Sequence, residues 1–213
     1  GNIICTKQSS TVNSEDELQK RIDAAPIGSI GSPTSISVGN VEITKGITMN
    51  GKYITLTGGN IIGNSNNAWI SLKGGGLNLD QIKITNKGAY NGSPIYVDGG
   101  RLIINNSSID GELCQGGAIN VSSQSGSIIE INQGTIKGII SNMDASLTFN
   151  SGSASSIFSK VPVWFSGSVQ IYGGVTCQVI LTSAPQYKLK FSLTQGNIAA
   201  SGGNGFVLAE RYL

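Results

Sequence analysis

The chain has 213 residues, with 14 basic and 12 acidic side chains, a formal charge of +2 and no histidine. A near-neutral chain without a basic run does not bind nucleic acid through charge. The lack of His excludes Ser-His-Asp and Cys-His catalytic sets and any His-ligated metal.

Charged residues make up only 12% and Gly 30 of 213, about half and about twice the usual shares. Ile, Val and Leu recur too regularly for disorder, so the profile is that of a β-rich coil with many turns and a Ser/Thr/Asn/Gly surface. Cys5, Cys114 and Cys177 are odd in number and show no metal spacing, which predicts free thiols. No stretch reads as a transmembrane span or a signal peptide. The start on Gly1-Asn2-Ile3 is compatible with a mature or trimmed form.

Residues 1–13 form a polar lead-in, with a short strand expected at Ile3-Ile4. Ser14-Glu15-Asp16-Glu17 is a capping box. Leu18, Ile22 and Ala25 follow at helical spacing and Pro26 ends the run. One short helix over 14–26, placed before a series of strands, predicts a cap over their open end. Residues 27–46 hold the pairs Ile36/Val38 and Val41/Ile43 and read as an opening turn.

From Ile47 onward the chain repeats itself, most clearly over Ile95–Lys137. Each unit has an apolar-x-apolar pair, a Gly/Ser turn, a second such pair and a lone apolar residue. First pairs stand at Ile47/Met49, Ile70/Leu72, Ile95/Val97, Ile119/Val121, Val163/Phe165, Val179/Leu181 and Phe206/Leu208, with a weak copy at Ile140. Second pairs are Ile54/Leu56, Leu77/Leu79, Leu102/Ile104, Ile129/Ile131, Leu147/Phe149, Val169/Ile171 and Phe191/Leu193. The lone residues are Ile61, Ile84, Ile109, Ile136 and Ile198; Ala154 fills the place weakly and Thr176 breaks it.

Apolar-x-apolar is the period of a strand with one buried face. Units near two dozen residues long, with no room for a helix, predict a coil whose turns stack about 4.8 Å apart. A closed antiparallel barrel would instead show two-residue hairpin loops. The expected fold is all-β: one domain over 1–213, a single-stranded parallel β-helix of about seven rungs, with coils over 47–213. Asp80, Asn105, Asn132 and Asn150 share one column. Either Asn supplies a left-handed turn residue there, or its amide bonds to those above and below.

The Ser-x-x-Glu helix start, the Gly-rich opening turn and Gly-Lys-Tyr-Ile-Thr-Leu-Thr-Gly-Gly-Asn-Ile-Ile-Gly at 51–63 resemble right-handed parallel β-helix proteins of the pectin-lyase-like superfamily. Gly116-Gly117-Ala118-Ile119 is similar to a motif of bacterial polymorphic outer-membrane and adhesin-type repeats, whose partner Phe-x-x-Asn is absent here. The resemblance implies an exported, bacterial, secreted or cell-surface protein. Fold likeness does not carry activity.

Two surfaces offer chemistry. In the strand of the first pair the middle residue faces out, giving Thr48, Ser71, Tyr96, Asn120, Ser141, Trp164 and Ile180, with Trp69 two before Ser71. Trp69, Tyr96 and Trp164, with Tyr90 nearby, then form an aromatic face suited to stacking on sugar rings, unless a loop folds back over it. Loops leaving after the lone Ile bring Lys87, Tyr90, Asp110, Glu112 and Lys137 to one flank. Carboxylates and a Lys base there are the candidate catalytic set, with Ca²⁺ as cofactor only in that case; otherwise they are solvated loop charges. Asp98 and Arg101 are expected to pair locally or face water. The preferred reading is a non-catalytic module, adhesin-like or glycan-binding, with no cofactor and a polysaccharide or host-surface glycan as partner. The alternative is a pectate-lyase-like lyase or a glycosidase.

Overall fold

The structure is a computed structural model that describes residues 10–123, 126–166, 169–177, 179–181, 190–191 and 198–199. Every strand pairing between coils is parallel and joins equivalent strands of successive coils. Three sheets result. Sheet 1 stacks Ile36, Leu56, Leu79, Ile104, Ile131, Phe149, Phe165 and Leu181 in register. Sheet 2 stacks Val41, Ile61, Ile84, Ile109, Ile136, Ala154, Ile171 and Phe191. Sheet 3 stacks Ile47, Ile70, Ile95, Ile119, Ile140, Ile157, Val175 and Ile198.

The inward residues of these columns with described side chains, Ile36 to Phe165 for example, are at most 2% exposed. Full burial of each Ile or Leu is worth about 1.5–3 kcal/mol, so the repeat is itself the core. Strands such as Tyr53–Gly63 and Gly76–Asn86 bend at the corner between sheets 1 and 2, and Ile128–Asn142 runs through all three.

The helix, Glu15–Ala24, closes the N-terminal end. Ser14 Oγ accepts from Glu17 N at 3.2 Å, and Leu18 and Ile22 are buried. Glu15 fills a nest of backbone donors, accepting from the N–H groups of Thr44 (3.1 Å), Lys45 (3.1 Å) and Gly46 (3.0 Å). The Gln19 amide accepts from Thr48 N at 2.9 Å and donates to Thr48 O at 3.0 Å. It thus satisfies the first strand of sheet 3 as another strand would, which is how the open edge is closed.

Residues 34–50 form a complete first coil, in register with 53–73, where the sequence suggested only a loose opening turn. The coils at 53–73, 76–97 and 101–121 are broad, with a loop between sheets 2 and 3, and those at 34–50, 128–142, 146–158 and 163–176 are narrow. The repeat length falls from 27 residues (Ile104 to Ile131) to 18 and then 16. This shortening shifts the sequence-derived phase. Val163/Phe165 and Val179/Leu181 belong to sheet 1, under Leu147/Phe149, and Val169/Ile171 lies in sheet 2. The sheet 3 position is taken by Ile157 and Val175. Two of the pairs expected near the C-terminus, Leu193 of one and Phe206/Leu208, lie outside the described residues.

The Asn column is an amide ladder. Asn132 donates to Asn105 Oδ1 at 3.0 Å and Asn150 to Asn132 Oδ1 at 2.6 Å, with Ser166 Oγ closing on Asn150. The left-handed residue is the next one along: Gly58, Gln81, Asn106 and Gln133, at φ 59°, 56°, 45° and 55°. Cys114 and Cys177 are buried free thiols, and Cys5 lies outside the described residues.

Candidate functional site

The aromatic face expected on sheet 3 is redistributed. Trp69 does not face solvent: it is 0% exposed, and its Nε1 donates to Ser65 O at 3.0 Å. A Cβ on Gly63 would lie 2.2 Å from the indole ring, and one on Gly92 2.7 Å from Nε1. Two missing side chains therefore make the slot, and the loop that includes Ser65 covers it. Loops at this corner interrupt only the coils around 64–67, 87–92 and 111–117 among the described residues. Asn86 Oδ1 closes its own loop by accepting from Gly88 N and Ala89 N, both at 2.8 Å, and Gln115 N of the next loop donates to Tyr90 O at 2.9 Å. Trp69 anchors this loop stack.

Trp164 does not share a sheet with Tyr96. It pairs with Thr148 and Ile180 in sheet 1, a consequence of the shortened repeat. Its expected place is held by Phe158, which is 37% exposed and paired with Ser141. The outer column of sheet 3 therefore runs Ser71, Tyr96, Asn120, Ser141, Phe158. Tyr96 is half-buried and lies three rungs from Phe158, roughly 14 Å. Sequence reading missed Phe158 because Ile157-Phe158-Ser159 follows Ile140 by 17 residues, short of the broad repeat. Tyr90 is 54% exposed on its loop.

The flank of charges comes partly apart. Asp110 and Lys137 are register partners on adjacent coils, and Gly111 N donates to Lys137 O at 2.8 Å. Asp110 Oδ1 accepts from Glu112 N at 3.2 Å, closing its own turn. Lys87 turns away: its Nζ pairs with Glu42 Oε2 at 3.1 Å, across two coils. Glu42 also accepts from Asn64 Nδ2 at 2.8 Å. That bond first, then Lys87, holds the Glu42 carboxyl below the usual carboxylate range. Burial first, then the Asp110 charge, pushes the Cys114 thiol up, so it is a poor nucleophile. Arg101 pairs with Glu130 at 3.0 Å rather than with Asp98, which accepts from Ser122 Oγ at 2.8 Å. Among the described residues no three acidic or Cys side chains gather as a metal site.

The corner between sheets 1 and 2 holds a shallow, open groove of about 340 Å³, lined by Gln81, Ile82, Lys83, Asn106, Ser107, Ser108, Gln133 and Thr135. The turn beneath it is held from the next coil. Ile82 N donates to Ser107 Oγ at 3.0 Å and Gln133 N to Ser151 Oγ at 2.7 Å. Left-handed backbone at a non-glycine residue costs on the order of 1–2 kcal/mol. Gln81 and Gln133 carry that cost and Asn106, whose short amide tolerates the conformation, less of it, where Gly58 avoids it one coil earlier.

Together these features define a parallel β-solenoid with an N-terminal helical cap. No family model matches the chain, nor does any curated protein or solved structure. Architecture is the part of the pectin-lyase-like resemblance that stands.

Proposed function

We propose that this is a non-catalytic glycan-binding or adhesin-like module, displayed outside the cell or on its surface. The observation that carries the reading is the outer column of sheet 3. There Tyr96 and Phe158 are separated by Asn120 and Ser141 in one register column. Ring faces suit the apolar C–H faces of sugars, and the intervening amide and hydroxyl suit their O–H groups. A stack of coils holds these groups at fixed spacing, which lowers the ordering cost of binding.

The lyase alternative requires a base and calcium-binding acids on one flank. The Lys87 ammonium already pairs with Glu42, and Asp110 already closes a turn. A glycan array run beside a lyase assay on uronic polysaccharides with Ca²⁺ tests both. Glycan binding that weakens in Tyr96→Ala or Phe158→Ala, with no unsaturated product, is the expected result. Product absorbance that vanishes in Lys87→Ala or Asp110→Ala would replace this reading with the enzyme.

A further inference from the structure

We infer a second binding site, for an uncharged polyhydroxylated chain, along the groove at the corner between sheets 1 and 2. This corner is the one that sheet 3 does not adjoin, so the site is separate from the Tyr96–Phe158 column. Three observations converge on it. First, Gln81, Asn106 and Gln133 are exposed, and their side-chain amides make no hydrogen bond to any described residue. The turns they occupy are held by Ser107 and Ser151 hydroxyls, so the amides are not needed for the fold.

Second, their left-handed backbone is the conformation in which glycine is easiest. Asn106 has a folding rationale there, since Asn tolerates this backbone, but the longer Gln81 and Gln133 have none. Third, all three line one groove together with the hydroxyls of Ser108 and Thr135.

The ligand class follows from that chemistry. An amide offers both a donor and an acceptor, as does a hydroxyl. A row of them at the rung spacing, roughly 4.8 Å, complements a chain of sugar hydroxyls. The groove's one ionic side chain is Lys83, too little charge to select an anionic polymer. The stacking direction of the column fixes the orientation: the sugar chain lies across the coils, parallel to the solenoid axis.

The test uses the full chain and calorimetric titration with cellohexaose, mannohexaose, maltohexaose and polygalacturonate. The variants are Gln81→Gly/Asn106→Gly/Gln133→Gly and, separately, Tyr96→Ala/Phe158→Ala. Glycine keeps the turn and relieves its strain, so the triple variant stays folded and melts no lower than the parent. The expected result is that the Tyr96/Phe158 variant still binds a neutral hexaose, insensitive to salt. Adding the three glycines to it should weaken that binding by roughly tenfold or more. Binding that the three glycines leave within about twofold overturns this site while leaving the glycan reading at sheet 3 intact. Binding to polygalacturonate alone, lost in high salt, overturns the uncharged ligand. Binding to none of the four overturns the site.

Discussion

The broad coils and the narrow coils close the same three-sided circuit by different means. Broad coils such as 76–97 and 101–121 spend extra residues at the corner between sheets 2 and 3, where their loops stack over Trp69. The coil at 128–142 has no such loop, and Ile136 is followed by Ile140 of sheet 3 within one continuous strand. There the turn into the next coil is held by a buried polar side chain. Asn142 is 0% exposed, donates to Ala145 O (2.8 Å) and Ser159 Oγ (3.1 Å), and accepts from Ala145 N (2.7 Å). The coil without a loop before sheet 3 is thus held by a satisfied amide after it. Both proposed binding surfaces start on the broad coils and end on the narrow ones, at Ser141 and Phe158 in sheet 3 and at Gln133 and Thr135 on the other corner.

The largest expected effect tests the loop stack. Trp69→Ala empties a slot that Gly63 and Gly92 exist to form, and should cost about 3–5 kcal/mol in chemical denaturation. A loss below about 1 kcal/mol would mean that the loops hold themselves. The narrow-coil counterpart is Asn142→Ala, which strands the Ala145 amide and should cost about 2–4 kcal/mol. If it costs no more than an exposed substitution, the amide is not what turns the chain there.

Asn132→Ala, where the broad coils meet the narrow ones, cuts the ladder between Asn105 and Asn150. A loss of about 1–2 kcal/mol is expected, with amide exchange rising in the coils on both sides. Gln133→Gly should act in the opposite direction, raising stability by about 0.5–1 kcal/mol through relief of its left-handed backbone. An equal or lower melting point would mean the Gln side chain contributes to the fold after all.

The smallest effect is electrostatic. Glu42 is held below its ordinary value of 4.5 by the Asn64 amide and then by Lys87. A depressed carboxyl stabilises the fold while ionised, at neutral pH, and loses that contribution as pH falls through its lowered value. Asn64→Ala should therefore lower the melting point slightly at neutral pH and not at acid pH, where both proteins carry protonated Glu42. Equal loss at both pH values would assign the effect to packing.

Much of this could be read before any coordinates. The apolar pairs at Ile47, Ile70, Ile95 and Ile119 do lie over one another, and the Ser14–Glu17 box does start a capping helix, because both signals are local and periodic. The amide ladder was visible as a column, although which residue takes the left-handed turn was not. The candidate site was less legible. An outward position predicts exposure only if nothing lies over it, and Trp69 is covered by residues whose packing no alternation rule contains. Trp164 was misplaced because an apolar pair looks the same in each of three sheets once the repeat shortens from 27 to 18 and 16 residues.

By itself, then, the sequence determined that the chain would stack as parallel coils, since side-chain alternation and repeat length are properties of neighbouring residues. Only the tertiary structure decided which sheet each late strand joins, which aromatic rings meet solvent, and that Lys87 pairs with Glu42. Those are matters of register between coils, and register is fixed by the packing of residues far apart in the chain.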